Sequence, residues 1–192
     1  MNNPYTVQLT SELNNNKQIF SPFKLKKITL WVIIFLGVGL TQMPAQSSSY
    51  EELQAAYLYN FAKYITWPGE RSVFIIAVLG ETEEMEDLQK TLKGKKVTGK
   101  EIQVRKIETL DKAEEYQIIY LFSSASKELV SVLKAISGKN VLVVTEEDLA
   151  KKGATISFVV EDDKLRFKLN ESVLLKTGLK ATDGLLKLAI LM

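Results

Sequence analysis

Three short runs constrain this chain more than anything else in it. Val73-Phe-Ile-Ile-Ala-Val-Leu79, Ile118-Ile-Tyr-Leu-Phe122 and Val141-Leu-Val-Val144 are nearly continuous in apolar residues and rich in β-branching. A strand with one wet face alternates; a run without a polar position must bury both faces, which is the situation at the centre of a parallel sheet covered by helices. By contrast Glu101-Ile-Gln-Val-Arg-Lys-Ile107 alternates, as a strand with one wet face or at an edge should. Helical patterns fall between these blocks, near residues 82–93, 109–115, 124–137 and 146–152. The last is expected to open with Thr145 as cap, Asp148 three positions on, and to close at Gly153. Strands alternating with helices predict an α/β fold: a single-domain three-layer sandwich with a mostly parallel central sheet, Rossmann-like or flavodoxin-like.

After Gly153 the pattern changes. Thr155-Ile-Ser-Phe-Val-Val-Glu161 and Lys164-Leu-Arg-Phe-Lys-Leu169 flank Asp162-Asp163. A two-residue turn there pairs residue 160 with 165, 158 with 167 and 156 with 169, all apolar, and sets Glu161 opposite Lys164. This predicts an antiparallel C-terminal hairpin. Two helices follow: one over residues 171–176, capped by Asn170 and ended by Gly178, and a last one over about 182–190.

The N-terminus reads as an export signal. Lys24, Lys26 and Lys27 precede a 13-residue apolar run from Ile28 to Leu40, followed by a polar stretch with small residues around Ala45. A spanning helix needs about 20 apolar residues, so cleavage after Ala45 is expected rather than retention as a membrane anchor. That makes residues 1–45 a signal peptide and 46–192 the mature domain, with no span left after cleavage. The leader removes four of the 25 basic residues and one of the 23 acidic ones, so the mature chain holds 21 basic and 22 acidic residues. Without a basic domain there is no electrostatic footprint for nucleic acid.

The chain has no His and no Cys. The usual nucleophile-activating base, the thiolate nucleophile, the N/S metal ligands and any disulfide are therefore all missing. No cofactor or metal is expected. Gly94-Lys-Lys-Val-Thr-Gly99-Lys100-Glu101 has the frame of a phosphate-binding loop, but Glu101 stands where the magnesium-ligating hydroxyl belongs. It also leads from a helix into a strand, the reverse of what such a loop requires; a basic turn is the expectation. The acidic run Glu81, Glu83, Glu84, Glu86 and Asp87 sits at a predicted helix start, where negative charge is favoured by the macrodipole.

Residues 50–68 form an aromatic helical pattern that ends at Trp67-Pro68, since the residue before proline is pushed out of the helical region. Leu53, Tyr57, Phe61 and Tyr64 follow helical spacing, widened by Ala56, Asn60 and Ile65, and that face is expected to pack on the sheet. Taken in order, Tyr57-Leu-Tyr-Asn-Phe-Ala-Lys-Tyr-Ile-Thr-Trp-Pro68, the strand ending Val78-Leu-Gly80, Gly94-Lys-Lys-Val-Thr-Gly99, Asn140-Val-Leu-Val-Val-Thr145, Gly153-Ala-Thr-Ile-Ser-Phe158, Lys164-Leu-Arg-Phe167-Lys-Leu-Asn170 and the segment from Gly178 to Ala189 resemble the YfiR-like family of periplasmic regulators. The resemblance covers essentially the whole mature chain. It implies an α/β fold, a possible homodimer, no catalysis, and a partner in the periplasmic domain of an inner-membrane signalling protein, a diguanylate cyclase held inactive or a sensor kinase. It implies structural roles for Tyr57, Phe61, Trp67, Pro68, Phe167, Asn170 and Gly178. The cysteine pairs that family members use for stability and redox response are absent here, so redox sensing through this chain is excluded.

Two other function classes stand beside a regulatory binding module. A small-ligand receptor would use the crevice beyond the strand ends, lined by Gly80, Glu81, Thr82, Ser123, Ser124 and Thr145, residues that also serve as plain helix caps. An enzyme working with carboxylates alone is the third.

Overall fold

The computed structural model describes residues 50–80 and 85–192; the expected leader and Glu81, Thr82, Glu83 and Glu84 lie outside the described residues. Helix α1 (Tyr50–Tyr64) leads through β1 (Ile65–Thr66) to β2 (Phe74–Leu79), α2 (Met85–Leu92), β3 (Lys96–Val97) and β4 (Lys100–Lys106). Then come β5 (Ile118–Leu121), α3 (Leu129–Ala135), β6 (Leu142–Thr145), β7 (Ile156–Glu161) and β8 (Lys164–Leu169). The chain closes with α4 (Glu171–Lys176), β9 (Lys180–Ala181), α5 (Asp183–Leu188) and β10 (Ile190–Leu191).

Eight strands form one sheet in the order β10-β8-β7-β6-β5-β2-β4-β3, and β1 with β9 makes a separate two-stranded patch. The five strands β4-β2-β5-β6-β7 are mutually parallel. Their order is the flavodoxin-like one, in which the chain steps first to one side of β2 and then to the other. The three apolar runs are β2, β5 and β6, and every residue in them is buried. Because side chains alternate along a strand, the sheet feeds two cores. Ile76, Val78, Tyr120 and Val144 face α1 and α2, with Leu58, Phe61, Leu88 and Leu92. Ala77, Ile119, Leu121 and Val143 face the opposite layer, with Leu129 and Val132 of α3.

The hairpin has the register that the pattern predicts: Ile156 opposite Leu169, Phe158 opposite Phe167, Val160 opposite Leu165 and Glu161 opposite Lys164. Asp162 and Asp163 both take positive φ, 51° and 57°, the geometry of a type I′ turn that matches the twist of its strands. Glu161 forms its ion pair with Arg166 at 3.6 Å rather than with Lys164. Asn170 caps α4 by accepting from the Val173 amide at 3.1 Å.

Several expected helices are shorter or different. Residues 109–115 form only a 3-10 turn, Ala113–Glu115, because Ala113, Glu115 and Tyr116 donate three residues back, to Leu110, Lys112 and Ala113. The helix expected near 124–137 starts as a 3-10 segment, Ser123–Glu128, before becoming α3. The one expected at 146–152 is reduced to a 3-10 turn, Ala150–Lys152, and Thr145 does not cap it. Its hydroxyl donates to the Glu147 carbonyl at 2.7 Å and meets Ser157 Oγ at 2.8 Å, while Asp148 pairs with Lys168 at 2.6 Å. The link from β6 to β7 is thus pinned to strands on either side, which leaves no length for a free helix. The last helix stops at Leu188 because Ile190 and Leu191 pair alongside β8.

The aromatic helix is also rotated from the expected phase. Phe61 is fully buried, but Leu53 and Tyr64 are 40% and 38% exposed and Ala56 is exposed; Gln54, Ala55, Leu58 and Ala62 are buried instead. Gln54 tolerates that place because its Nε2 donates to Glu146 Oε1 at 3.3 Å, so its polar end is satisfied. Phe61 lies 4.9 Å from Phe167 edge to face and 6.0 Å from Phe158. Phe61→Ala is expected to cost about 3–5 kcal/mol, the range for emptying a large buried site. A denaturant titration showing a change below about 1 kcal/mol would contradict its burial.

Candidate functional site

In a doubly wound sheet the reversal of strand order opens a crevice beyond the carboxyl ends of the strands. Here the reversal lies between β2 and β5, where Leu79 pairs with Leu121 and Leu121 with Thr145. The structure brings Gly80 and Ser124 together at this point: a Cβ on Gly80 would stand 2.7 Å from Ser124 Oγ and 3.1 Å from Ala125 Cβ. Gly80 has φ of +117°, a conformation side-chain-bearing residues avoid. The neighbouring donors are already engaged. The Ser123 amide donates to Glu146 Oε2 at 2.6 Å, and Thr145 is buried with its hydroxyl bonded as described above. Glu81 and Thr82 lie outside the described residues. Glu146, which no sequence pattern marks, thus ties the turn after β5 to Gln54 of α1.

Two other hollows are more open. The first is an apolar groove of about 310 Å³ where α1 meets α5, lined by Tyr57, Asn60, Tyr64, Phe167, Leu185 and Leu188. Its floor is the aromatic cluster, with Tyr57 5.4 Å from Phe167 and its hydroxyl donating to the Leu165 carbonyl at 3.1 Å. Its rim is uncovered: Leu188 is 63% exposed, and Leu191 and Met192 beyond it are exposed too. Sequence reasoning placed Tyr64 in the core and did not single out Leu188; the only available signal was an apolar stripe wider than one helix can bury.

The second hollow, about 250 Å³, lies at the opposite end of the sheet, under Trp67 and Pro68. Trp67 fixes its own position by donating Nε1 to the Ala62 carbonyl at 2.8 Å and by stacking edge to face on Phe74 at 5.1 Å. Asn140 donates to the Thr177 carbonyl at 2.8 Å, and Gly178 is required beside it, since a Cβ there would come within 2.7 Å of Asn140 Nδ2. Arg71 donates to the carbonyls of Glu114 and Glu115 at 2.6 and 3.1 Å. The Glu114 carboxyl titrates below its ordinary value, chiefly because Lys139 donates to it at 2.7 Å, with a backbone hydrogen bond and the charges of Lys139 and Arg71 adding to the effect.

Among the described residues no group of three or more carboxylates could hold a metal ion, and no helix is long and apolar enough to cross a membrane. What the geometry defines is an α/β domain with a doubly wound sheet. The sequence matches the DUF4154 family, described as YfiR/HmsC-like, over residues 51–190, and the chain belongs to that family. It is a family of periplasmic regulators rather than catalysts. No curated protein matches the sequence. The fold is shared with a conserved domain protein from Vibrio cholerae, at a TM-score of 0.53 and 12% identity over 74% of this chain. It is shared as well with a Streptococcus pneumonia ABC domain solved in complex with L-Trp, at a TM-score of 0.51 and 10% identity over 71%. The match spans 60% and 59% of those two chains, and at such identities the likeness concerns the fold alone.

Two measurements check this geometry. Gly80→Ala is expected to lose about 1–3 kcal/mol, through the positive φ and the contact with Ser124; unchanged thermal unfolding would show the approach to be looser than described. For Glu114, a folded pKa below the ordinary value of 4.5 means its contribution to stability is present above that pH and is lost as pH falls through the folded pKa. In a carbon-13 carboxyl titration, Lys139→Met should move the Glu114 midpoint upward, toward its ordinary value.

Proposed function

We propose that this protein is an exported regulator that docks, through the groove between α1 and α5, on the periplasmic domain of a membrane signalling enzyme. The enzyme it represses is a diguanylate cyclase, so docking lowers cyclic di-GMP and biofilm formation. The observation that carries the docking surface is the uncovered apolar rim: Tyr64 and Leu188 line the groove and stay exposed beside its packed aromatic floor. Patches of this kind, rigid beneath and apolar at the surface, mark places where another protein sits. Membership of a periplasmic regulatory family supports the class of partner, and the N-terminal basic and apolar segments support export. The absence of His and Cys leaves few catalytic options and makes docking the means of signalling.

Tyr64→Asp and Leu188→Asp put a charge on the rim without touching the core, so each should change stability by no more than about 0.5 kcal/mol. Each should weaken capture of the partner's periplasmic domain by tenfold or more, on the order of the 2 kcal/mol expected at a central contact. Deleting the gene should raise cyclic di-GMP and surface attachment. Restoring the chain without residues 1–45 should not reverse this, and rescue by that form would refute the location. Because the chain has no thiol, reductant should leave repression intact.

A further inference from the structure

We infer that the hollow beneath Trp67 is a binding site for a small organic anion: an anionic carboxylate or phosphate group carried on an apolar body. The first observation is a buried amide with an unused donor. Gln117 is 5% exposed and lines the hollow. It is fixed on three counts: its amide donates to the Ile75 carbonyl at 3.0 Å, its carbonyl accepts from Leu142 at 2.9 Å, and its side-chain Oε1 accepts from the Ile75 amide at 2.6 Å. A backbone N–H can only donate, so the atom facing it must be the oxygen. That leaves Nε2 pointing elsewhere, buried and with no partner. Gln117 lines the hollow, so an acceptor bound there and drawn close to this side chain would give the donor the partner it lacks.

The second observation is charge. Lys63, Arg71 and Lys100 line the hollow, and no carboxylate does so among its described residues. Lys63 rests over the Tyr64 ring at 5.2 Å, and the hydrogen bonds of Arg71 go to carbonyl oxygens. Lys63 and Lys100 have no acidic partner at bonding distance among the described residues. Lys63 and Lys100, beside Arg71 whose charge also acts on Glu114, give the concavity a positive lining that attracts an anion and disfavours a cation. The third is the wall: Trp67 and Phe74, packed edge to face, give an apolar surface on which a ring or short chain can lie. The site stands at the amino ends of β2, β5 and β6, shares no lining residue with the α1–α5 groove, and owes nothing to the docking reading.

The test uses the full chain carrying Trp31→Phe, which leaves Trp67 as the one tryptophan, so its fluorescence reports on the hollow directly. Benzoate and phenyl phosphate are titrated as anionic probes, with benzamide and benzamidinium as neutral and cationic counterparts. At least one anion should shift Trp67 emission saturably, with a Kd about tenfold or more below that for benzamide; which of the two binds better distinguishes carboxylate from phosphate. Lys100→Gln and Lys63→Gln should each raise that Kd about fivefold or more, while Lys127→Gln, on an exposed turn elsewhere, should not. Gln117→Glu keeps an acceptor for the Ile75 amide but replaces the free donor, and should abolish the shift in a protein that still unfolds cooperatively. Equal binding of benzamide, no saturable shift with either anion, or a Kd unaffected by both lysine substitutions would each overturn the proposal.

Discussion

Phe61 joins the two ends of the described chain. It comes from the first helix, yet its neighbours Phe158 and Phe167 belong to the hairpin roughly a hundred residues later, with Tyr57 and Tyr120 completing the cluster. Closing so long a loop has an entropic cost that grows only slowly with length, so a few buried aromatic contacts suffice to offset it. Much else follows from this joint. With α1 held over the hairpin, Gln54 reaches Glu146, and the Thr182 amide reaches the Tyr64 carbonyl at 3.0 Å, drawing β9 against β1. The same joint sets the rotation of α1. Phe61 points straight down, so Tyr57 turns sideways and Tyr64 outward, and the groove exists because of that.

The parts of the fold legible in the sequence are those where one simple rule decides. Continuous apolar runs named β2, β5 and β6 because no polar position could be left wet, and the hairpin register followed because a one-residue slip would have exposed Phe158 and Phe167 together. The parts that failed were decided by tertiary contacts. Leu53 looked like core by type, and Gln54 did not; the packing of Phe61 turns α1 the other way, and Glu146, distant in sequence, satisfies the Gln54 amide that this buries. The 3-10 turns replace helices where backbone amides bond three residues back, as at Ala113, Glu115 and Tyr116, a choice no local pattern encodes. Strands of two residues, such as β9 and β10, carry no periodicity to read.

Sites were less legible than the fold for the same reason. Gly80, Ser123, Ser124 and Thr145 stand at or just past the carboxyl ends of β2, β5 and β6, a position that strand boundaries alone locate. What the sequence did not reveal is that Glu146 and Ser157 engage their polar groups. The hollow under Trp67 draws Lys63, Arg71, Lys100, Gln117 and Asn140 from separate segments, and only the completed sheet makes them neighbours. Its key atom, Nε2 of Gln117, is defined by what it lacks, and a list of residues holds no such information.

The two outer strands of the sheet, β10 and β3, are each two residues long. A long bare margin would offer its backbone to any passing chain, in the manner that leads to fibres. Here the outer strands cover only part of each margin, Lys168 and Leu169 of β8 and Lys100 and Glu101 of β4. For members of a periplasmic family no cytoplasmic chaperone is at hand to separate molecules that have stuck together. A chain without thiols cannot be cross-linked by disulfides there, and recognition is left to side chains on its helices, where a single substitution can retune it.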